Sequence, residues 1–150
     1  MPKSISFDIP GKPGAKQRHR TTTVNGHTRM YTPKETVSYE DFIKWIYMEV
    51  KGRLWFTGPL MISVVSYHKI PKNTSAVKTQ KMLAGTIKHD KKPDIDNILK
   101  IVMDGLTGAA YPDDKLVVEC YRLRKEYTTG NERVEVTLQS FNSQDVKEIK

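Results

Sequence analysis

The densest group of chemically active side chains lies between Lys91 and Val118, in the segment KKPDIDNILKIVMDGLTGAAYPDDKLVV. Around Lys100 it gathers five aspartates, which are Asp94, Asp96, Asp104, Asp113 and Asp114. Carboxylates held close together repel one another unless a cation binds between them. Oxygen ligands without His or Cys suit Mg²⁺ or Mn²⁺ rather than zinc. Because a carboxylate-held Mg²⁺ can activate a water and offset the charge of a scissile phosphate, the segment predicts a metal-dependent nuclease.

Whether these aspartates can converge depends on the elements that hold them. Side chains two residues apart on a helix point about 200° apart, so Asp94 and Asp96 cannot share a face if both are helical. Pro93 disfavours helical geometry at Lys92, however, and favours an extended approach to the helix. We therefore predict Asp94 at the edge of the helix and Asp96 in its first turn, where the helix N-terminus offsets negative charge. From that corner both carboxylates can reach one point.

The central helix should run over residues 96–106 and bury one apolar side, formed by Ile98, Ile101, Val102 and Leu106. Lys100 and Asp104 follow at intervals of four residues from its start, so they continue a polar stripe on the opposite side. A turn then leads to Asp113 and Asp114, and a strand folded back beside the helix would bring one or both near its N-terminus. The same pattern also fits a purely structural role, in which the aspartates cap helices and form ion pairs.

The rest of the chain mixes strands and helices. Alternation and turn residues predict a strand over 4–9 and a loop or loose hairpin over 11–30. Helical spacing predicts a helix from the N-cap Thr32 through Pro33 and Glu35 to Gly52, and a short helix over 76–84. The remaining elements are a buried strand over 59–67 and two strands over 116–127 and 133–138, which are joined as a hairpin through 128–131. The first helix should bury an apolar stripe, formed by Tyr39, Phe42, Ile43, Ile46 and Val50. The polar residues 140–150 should fray. We expect one small α+β or mixed α/β domain over 1–150, with a mixed sheet packed by helices.

Positive charge is concentrated in two stretches. The chain has 25 Lys and Arg against 17 Asp and Glu, a net charge of +8. Residues 9–34 hold six basic residues and no acid, and residues 69–92 hold seven lysines and one acid. Such segments indicate a polyanionic partner, although lysine-rich loops can also serve solubility alone. Beside the acidic cluster they favour a nucleic acid, and the candidate contacts are Lys12, Lys16, Arg18, Arg20, Lys88, Lys91 and Lys92.

The cysteine content and the apolar segments indicate the compartment in which the protein is expected. Cys120 is the only cysteine, so neither an intrachain disulfide nor a multi-thiolate metal site can form, which suits a reducing cytosol. The four histidines show no HxxxH spacing, so zinc is not expected. The N-terminus lacks the apolar core of a signal peptide, and no apolar run reaches membrane-spanning length. We expect a cytoplasmic protein without a membrane partner.

The acidic segment resembles the RusA family of Holliday-junction resolvases. The family pattern K-P-D-x-D-N-x-x-K is matched by residues 92–100, the D-x-L by Asp104-Gly105-Leu106, and the final acidic pair by Asp113-Asp114. The opening Pro10-Gly11-Lys12-Pro13 and the following KQRHR of residues 16–20 are similar to the family's G-x-P-x-x-K-x-R-P-R. His19 stands where the family usually has proline, so the N-terminal similarity is weaker than the acidic one.

This resemblance implies a homodimeric, Mg²⁺-dependent endonuclease of mixed α/β fold that binds four-way DNA junctions and makes paired symmetric nicks in DNA recombination and repair. Mn²⁺ would be the substitute metal. Matching positions imply that Asp94, Asp96 and Asp114 bind the metal and that Lys100 is the catalytic lysine. Asp104 and Asp113 would have supporting roles, with Asp113 as a further candidate ligand. Such resolvases are often encoded by phages or prophages.

Two other functions fit the same residues. One keeps the metal site and changes the substrate to flaps, other branched nucleic acid or RNA. The other is a basic nucleic-acid-binding protein without catalysis, whose aspartates only cap and pair. Residue chemistry by itself leads to a metal-dependent site beside a polyanion, and the four-way junction comes from the resemblance.

Overall fold

A mixed four-stranded sheet forms the centre of the molecule. The computed structural model describes residues 2–14, 20–24, 27–31 and 34–149, and the side chains of 2–14 and 38–149. The strands of this sheet are β1 (Ser4–Pro10), β5 (Leu60–Lys69), β6 (Val117–Thr128) and β7 (Arg133–Ser140). Their order is β1-β7-β5-β6, with β7 antiparallel to β1 and β5, and with β6 parallel to β5. The predicted mixed sheet is confirmed.

The predicted hairpin between the last two long strands is wrong. Both strands exist, but β5 lies between them, and β6 and β7 form no ladder with each other. The link over 128–131 instead passes the end of β5, where the Ile70 amide donates to the Thr128 carbonyl at 3.3 Å. The reason lies in β5, whose side chains are buried along most of the strand on both faces of the sheet. A strand of that kind is most stable inside the sheet, where strands cover both of its edges.

Two helices cover one face of this sheet and enclose the core. They are α1 (Lys34–Met48) and α3 (Ile95–Leu106). Burial alternates along β1 and β7, so their apolar side chains face the helices. The predicted stripe of α1 and the predicted apolar side of α3 both belong to this core. Tyr47, which lies outside the predicted stripe, is fully buried against Phe7 with ring centroids 5.2 Å apart. The predicted helix start at Thr32 and Pro33 lies outside the described residues.

The two helices approach each other closely at one glycine. A Cβ atom on Gly105 would lie 2.9 Å from the Cβ of Ile43 and 3.2 Å from the Glu40 carbonyl oxygen. Both distances are shorter than ordinary van der Waals contact, so only glycine fits at this crossing without movement. Gly105 therefore sets how near α3, with its aspartates, can lie to α1.

Smaller elements complete the fold. They are the hairpin strands β2 (Arg20–Val24) and β3 (His27–Tyr31), the paired strands β4 (Leu54–Phe56) and β8 (Val146–Glu148), the helix α2 (Ala76–Leu83), and the 3₁₀ turns Asp114–Leu116 and Ser143–Asp145. The expectation that 140–150 frays is corrected, because β8 pairs with β4 and buries Val146. Where a loop or a loose hairpin was expected over 11–30, the described residues form the β2–β3 hairpin, and the short helix expected after the break at 71–75 is present as α2. No helix among the described residues is long and apolar enough to cross a membrane.

Candidate active site

The entry to α3 leaves the Asp94 carboxylate exposed and uncommitted to the helix. Asp94 occupies the N-cap position with extended backbone angles, φ −69° and ψ 146°, at the predicted edge of the helix. Its carbonyl accepts the Ile98 amide at 3.1 Å, but its carboxylate makes no capping hydrogen bond. Asp96 lies in the first turn and is also exposed. A capping aspartate normally accepts a backbone amide. Asp94 does not, so its carboxylate does not serve as a side-chain cap for α3.

Lys100 brings two further aspartates together. Its Nζ lies 3.5 Å from Asp104 Oδ1, one turn along α3, and 3.5 Å from Asp114 Oδ2, which precedes β6. The Lys100 side chain is 55% exposed, whereas those of Asp104 and Asp114 are 18% and 30% exposed. Ion pairs this open to water contribute little to stability. Their geometry is more informative, because it places an exposed ammonium between Asp104 and Asp114.

The two adjacent aspartates before β6 do different things. Asp113 accepts the Lys115 amide at 2.9 Å and so caps the 3₁₀ turn. Asp114 faces Lys100 instead. The sequence left open which of the two would turn toward α3. Asp114 is the one that does so, and Asp113 is engaged in the turn.

A buried tyrosine, which the sequence reasoning missed, fixes the turn that delivers Asp114. Gly108 has a φ of +87°, and its amide donates to the Tyr111 carbonyl at 2.7 Å. Tyr111 is fully buried, and its hydroxyl donates to the Met103 carbonyl at 2.8 Å. Burial raises the pKa of Tyr111, and the nearby charges of Asp114 and Asp104 raise it further. The sequence offered one signal for this role: Tyr111 is the only aromatic residue between α3 and the pair Asp113 and Asp114.

The donor chemistry of this face fits a hard divalent cation, and its geometry fits less well. Asp94, Asp96, Asp104 and Asp114 offer only carboxylate oxygens, which Mg²⁺ and Mn²⁺ accept. In the described part of the chain, however, no three carboxylate, imidazole or thiolate side chains come together around one point. The position between Asp104 and Asp114 is taken by the Lys100 ammonium. The aspartates therefore form an acidic face, with Asp94 and Asp96 at its helix end and Asp114 beside Lys100.

A family model for the endodeoxyribonuclease RusA matches residues 10–139 of the chain. The chain belongs to the RusA family of endodeoxyribonucleases. The match includes the whole acidic face and both basic stretches from Pro10 onward. The chain is also 30% identical over 141 residues to the uncharacterized protein YqaN of Bacillus subtilis (strain 168), and the alignment covers 93% of this chain and 98% of that protein. The suspected family and the α+β fold are thus confirmed.

The second basic stretch of this RusA-family protein borders the acidic face. Lys91 lines an open groove of about 580 Å³ together with Lys72 and Lys78, and no described carboxylate lines it. Lys88 and Lys92 do not line the groove but are exposed as well. Because Lys91 is three residues before Asp94, the groove lies next to the helix entry. Its charge suits a phosphate backbone.

The first basic stretch is described only in part. Lys12 is exposed and lines a cavity of about 510 Å³ with Lys69 and Arg133, but Asp8 and Glu132 line it too, so its charge is mixed. Lys16 and Arg18 lie outside the described residues. For Arg20 only the backbone is described, as the first residue of β2.

Proposed function

We propose that this protein is a Mg²⁺-dependent, homodimeric endonuclease that resolves four-way DNA junctions by paired symmetric nicks, in DNA recombination and repair. One observation carries the proposal. The RusA match spans residues 10–139 and includes an acidic face whose Asp94 carboxylate is exposed and not engaged in capping α3. Cleavage of phosphodiester bonds is the chemistry that exposed carboxylates beside lysines support best.

Asp94, Asp96 and Asp114 would hold the metal, with Mn²⁺ as a substitute. When bound, the ion would polarise a phosphate oxygen and lower the pKa of an attacking water. Lys100 has a separate role. Its ammonium is exposed and lies 3.5 Å from Asp114. Since it carries a full positive charge on a flexible stem, it can meet the negative charge that develops on the phosphate oxygens.

DNA contacts and symmetry complete the proposal. Lys91 and the groove that it shares with Lys72 and Lys78 would bind backbone phosphates, which positions DNA without reading its sequence. Lys88 and Lys92 would extend this contact. A four-way junction presents equivalent phosphates on opposing strands, so an isologous dimer would set one acidic face against each. We also propose that the protein is encoded by a phage or prophage and that it acts in the cytoplasm.

The decisive experiment compares substrates and metals. Synthetic four-way junction, flap, duplex and single-stranded DNA are incubated with the protein, with Mg²⁺ and with EDTA. We expect paired nicks in the junction and only with the metal. Asp94→Asn, Asp96→Asn and Asp114→Asn should abolish cleavage while junction binding persists, because DNA binding depends on the lysines. Asp41→Asn, an exposed aspartate on α1, is the matched control and should cleave normally.

The alternatives predict other results from the same panel. Preferential cleavage of flaps would mean that the substrate is another branched DNA and not the four-way junction. Tight binding of all substrates with no product under any divalent metal would indicate a binding protein without catalysis. Wild-type cleavage by the Asp94→Asn variant, or cleavage in EDTA, would overturn the assignment of the site.

A further inference from the structure

A lysine on β6 holds the segment that leads into α3. The Nζ of Lys125 donates to the Lys91 carbonyl at 2.6 Å and to the Pro93 carbonyl at 3.0 Å. These two carbonyls flank Lys92, and the second belongs to the residue directly before Asp94. The lysine is 32 residues from Pro93 in the sequence, so the contact exists only in the folded chain. An ammonium has three donors and no acceptor, and it is well suited to gather backbone carbonyls.

The opposite end of this segment is fixed by aromatic contacts to the same part of the sheet. The ring of His89 stacks on that of His68 from β5, with centroids 4.0 Å apart, and meets Tyr127 from β6 edge-on at 5.1 Å. Tyr127 and Lys125 are two residues apart on a strand, so their side chains point to the same face. Residues 89–93 are therefore attached to the sheet at both ends.

These side-chain contacts matter because the backbone of the segment is otherwise weakly held. Among the described residues, no backbone amide or carbonyl of residues 88–93 takes part in a backbone–backbone hydrogen bond. Three exposed lysines, Lys88, Lys91 and Lys92, would repel one another across it. Without an anchor, the residues before α3 would sample many conformations. The orientation of the exposed Asp94 carboxylate would then vary with them.

We propose that Lys125 is a positioning residue for the reaction: by binding the carbonyls of Lys91 and Pro93, it fixes where Asp94 presents its carboxylate. This inference rests on the proposed function, since it assigns Lys125 a role in metal-dependent cleavage. Lys125 touches neither DNA nor metal in this role. Its effect passes through the backbone, as with the outer residues that orient the ligands of metal sites.

The test uses Lys125→Met, which keeps the aliphatic stem but cannot donate, and Lys125→Arg, which restores donors. Lys147→Met, an exposed position on β8, is the control for loss of one charge. Single-turnover cleavage of a four-way junction is measured at saturating protein while Mg²⁺ is titrated. We expect Lys125→Met to be about 10- to 100-fold slower and to need more Mg²⁺ for half-maximal rate. Its junction affinity should match that of Lys147→Met, and Lys125→Arg should recover most of the rate.

Three results would overturn the proposal. They are wild-type cleavage by Lys125→Met, a rate loss that is seen only below saturation and that saturating protein restores in full, and an arginine variant as slow as the methionine one. The second would make Lys125 a phosphate contact instead. Hydrogen–deuterium exchange supplies a readout that needs no activity: peptides over 88–97 should exchange faster in Lys125→Met, with α1 unchanged. If the wild type cleaves nothing but this change appears, the proposed function fails, although Lys125 still holds the segment before α3.

Discussion

Acidification should destabilise this protein through the stacked pair of histidines, His68 and His89. His68 is only 5% exposed, shares a 2.7 Å hydrogen bond between its Nε2 and Ser66 Oγ, and stacks on His89. Burial, together with the smaller effects of the charges of His89 and Lys125, lowers the pKa of His68 to about 4. Burial followed by Lys125 also lowers the pKa of His89. Both rings are therefore neutral in the folded protein at pH 7.

The sign of the effect follows from proton binding. In the unfolded chain His68 has a pKa of 6.5, so between pH 6.5 and about 4 the unfolded state binds the proton and the folded state does not. The contribution of neutral His68 to the free energy of unfolding is fully present above pH 6.5 and is lost as the pH falls toward 4. At about 1.4 kcal/mol per pH unit, lowering the pH from 7.5 to 4.5 should remove about 2 to 3 kcal/mol.

Urea denaturation at pH 7.5 and at pH 4.5 measures this loss directly. The comparison is with His68→Gln, whose amide can still meet Ser66 but does not titrate. Carboxylates shared by both proteins titrate alike, so their contribution cancels in the difference. The wild type should lose about 2 to 3 kcal/mol more than the variant between the two pH values. Equal losses in the two proteins would refute the reasoning, because the His68 ring would then have no perturbed titration.

Two further perturbations follow from packing and charge. Gly105→Ala places a Cβ 2.9 Å from that of Ile43, so it should lower the free energy of unfolding by about 1 to 2 kcal/mol despite the better helix propensity of alanine. Gly130→Ala, in an open turn, is the control and should leave the free energy of unfolding nearly unchanged in the same urea denaturation. Replacing Lys72 and Lys78 together by Met should reduce the slope of log affinity for junction DNA against log salt by about 1 to 2, and an unchanged slope would exclude the groove as a phosphate site.

Local pattern predicted the parts of the site that local chemistry controls. The spacing of Ile98, Ile101, Val102 and Leu106 was sufficient to predict α3 and its buried side, because periodicity reports one face of one element. Pro93 disfavours helical geometry at Lys92, so an extended approach to the helix, with Asp94 at its edge, could be predicted from the sequence. Lys100 fell beside Asp104 by spacing alone.

Features that depend on distant residues were out of reach. The turn residues at 128–131 correctly mark a reversal, but nothing local shows that β5 lies between the two strands that they join. The tail was expected to fray because its residues are mostly polar, yet Val146 and a short ladder to β4 hold it. The contacts of Lys125 reach back 32 and 34 residues. A lysine in a strand looks the same in sequence whether it binds carbonyls or faces water.

The order of the sheet bears on the chemistry because β6 contacts α3 and its approach at two separated points. Asp114, just before the strand, meets Lys100 in the middle of the helix, and Lys125, near its far end, holds Pro93 at the helix entry. The relative placement of Asp94 and Asp114 is therefore set by one strand, whose position is fixed by its parallel ladder to the buried β5. A hairpin with β7 in place of that ladder would remove β6 from the neighbourhood of His68 and His89. The insertion of β5 is thus a condition for the acidic face.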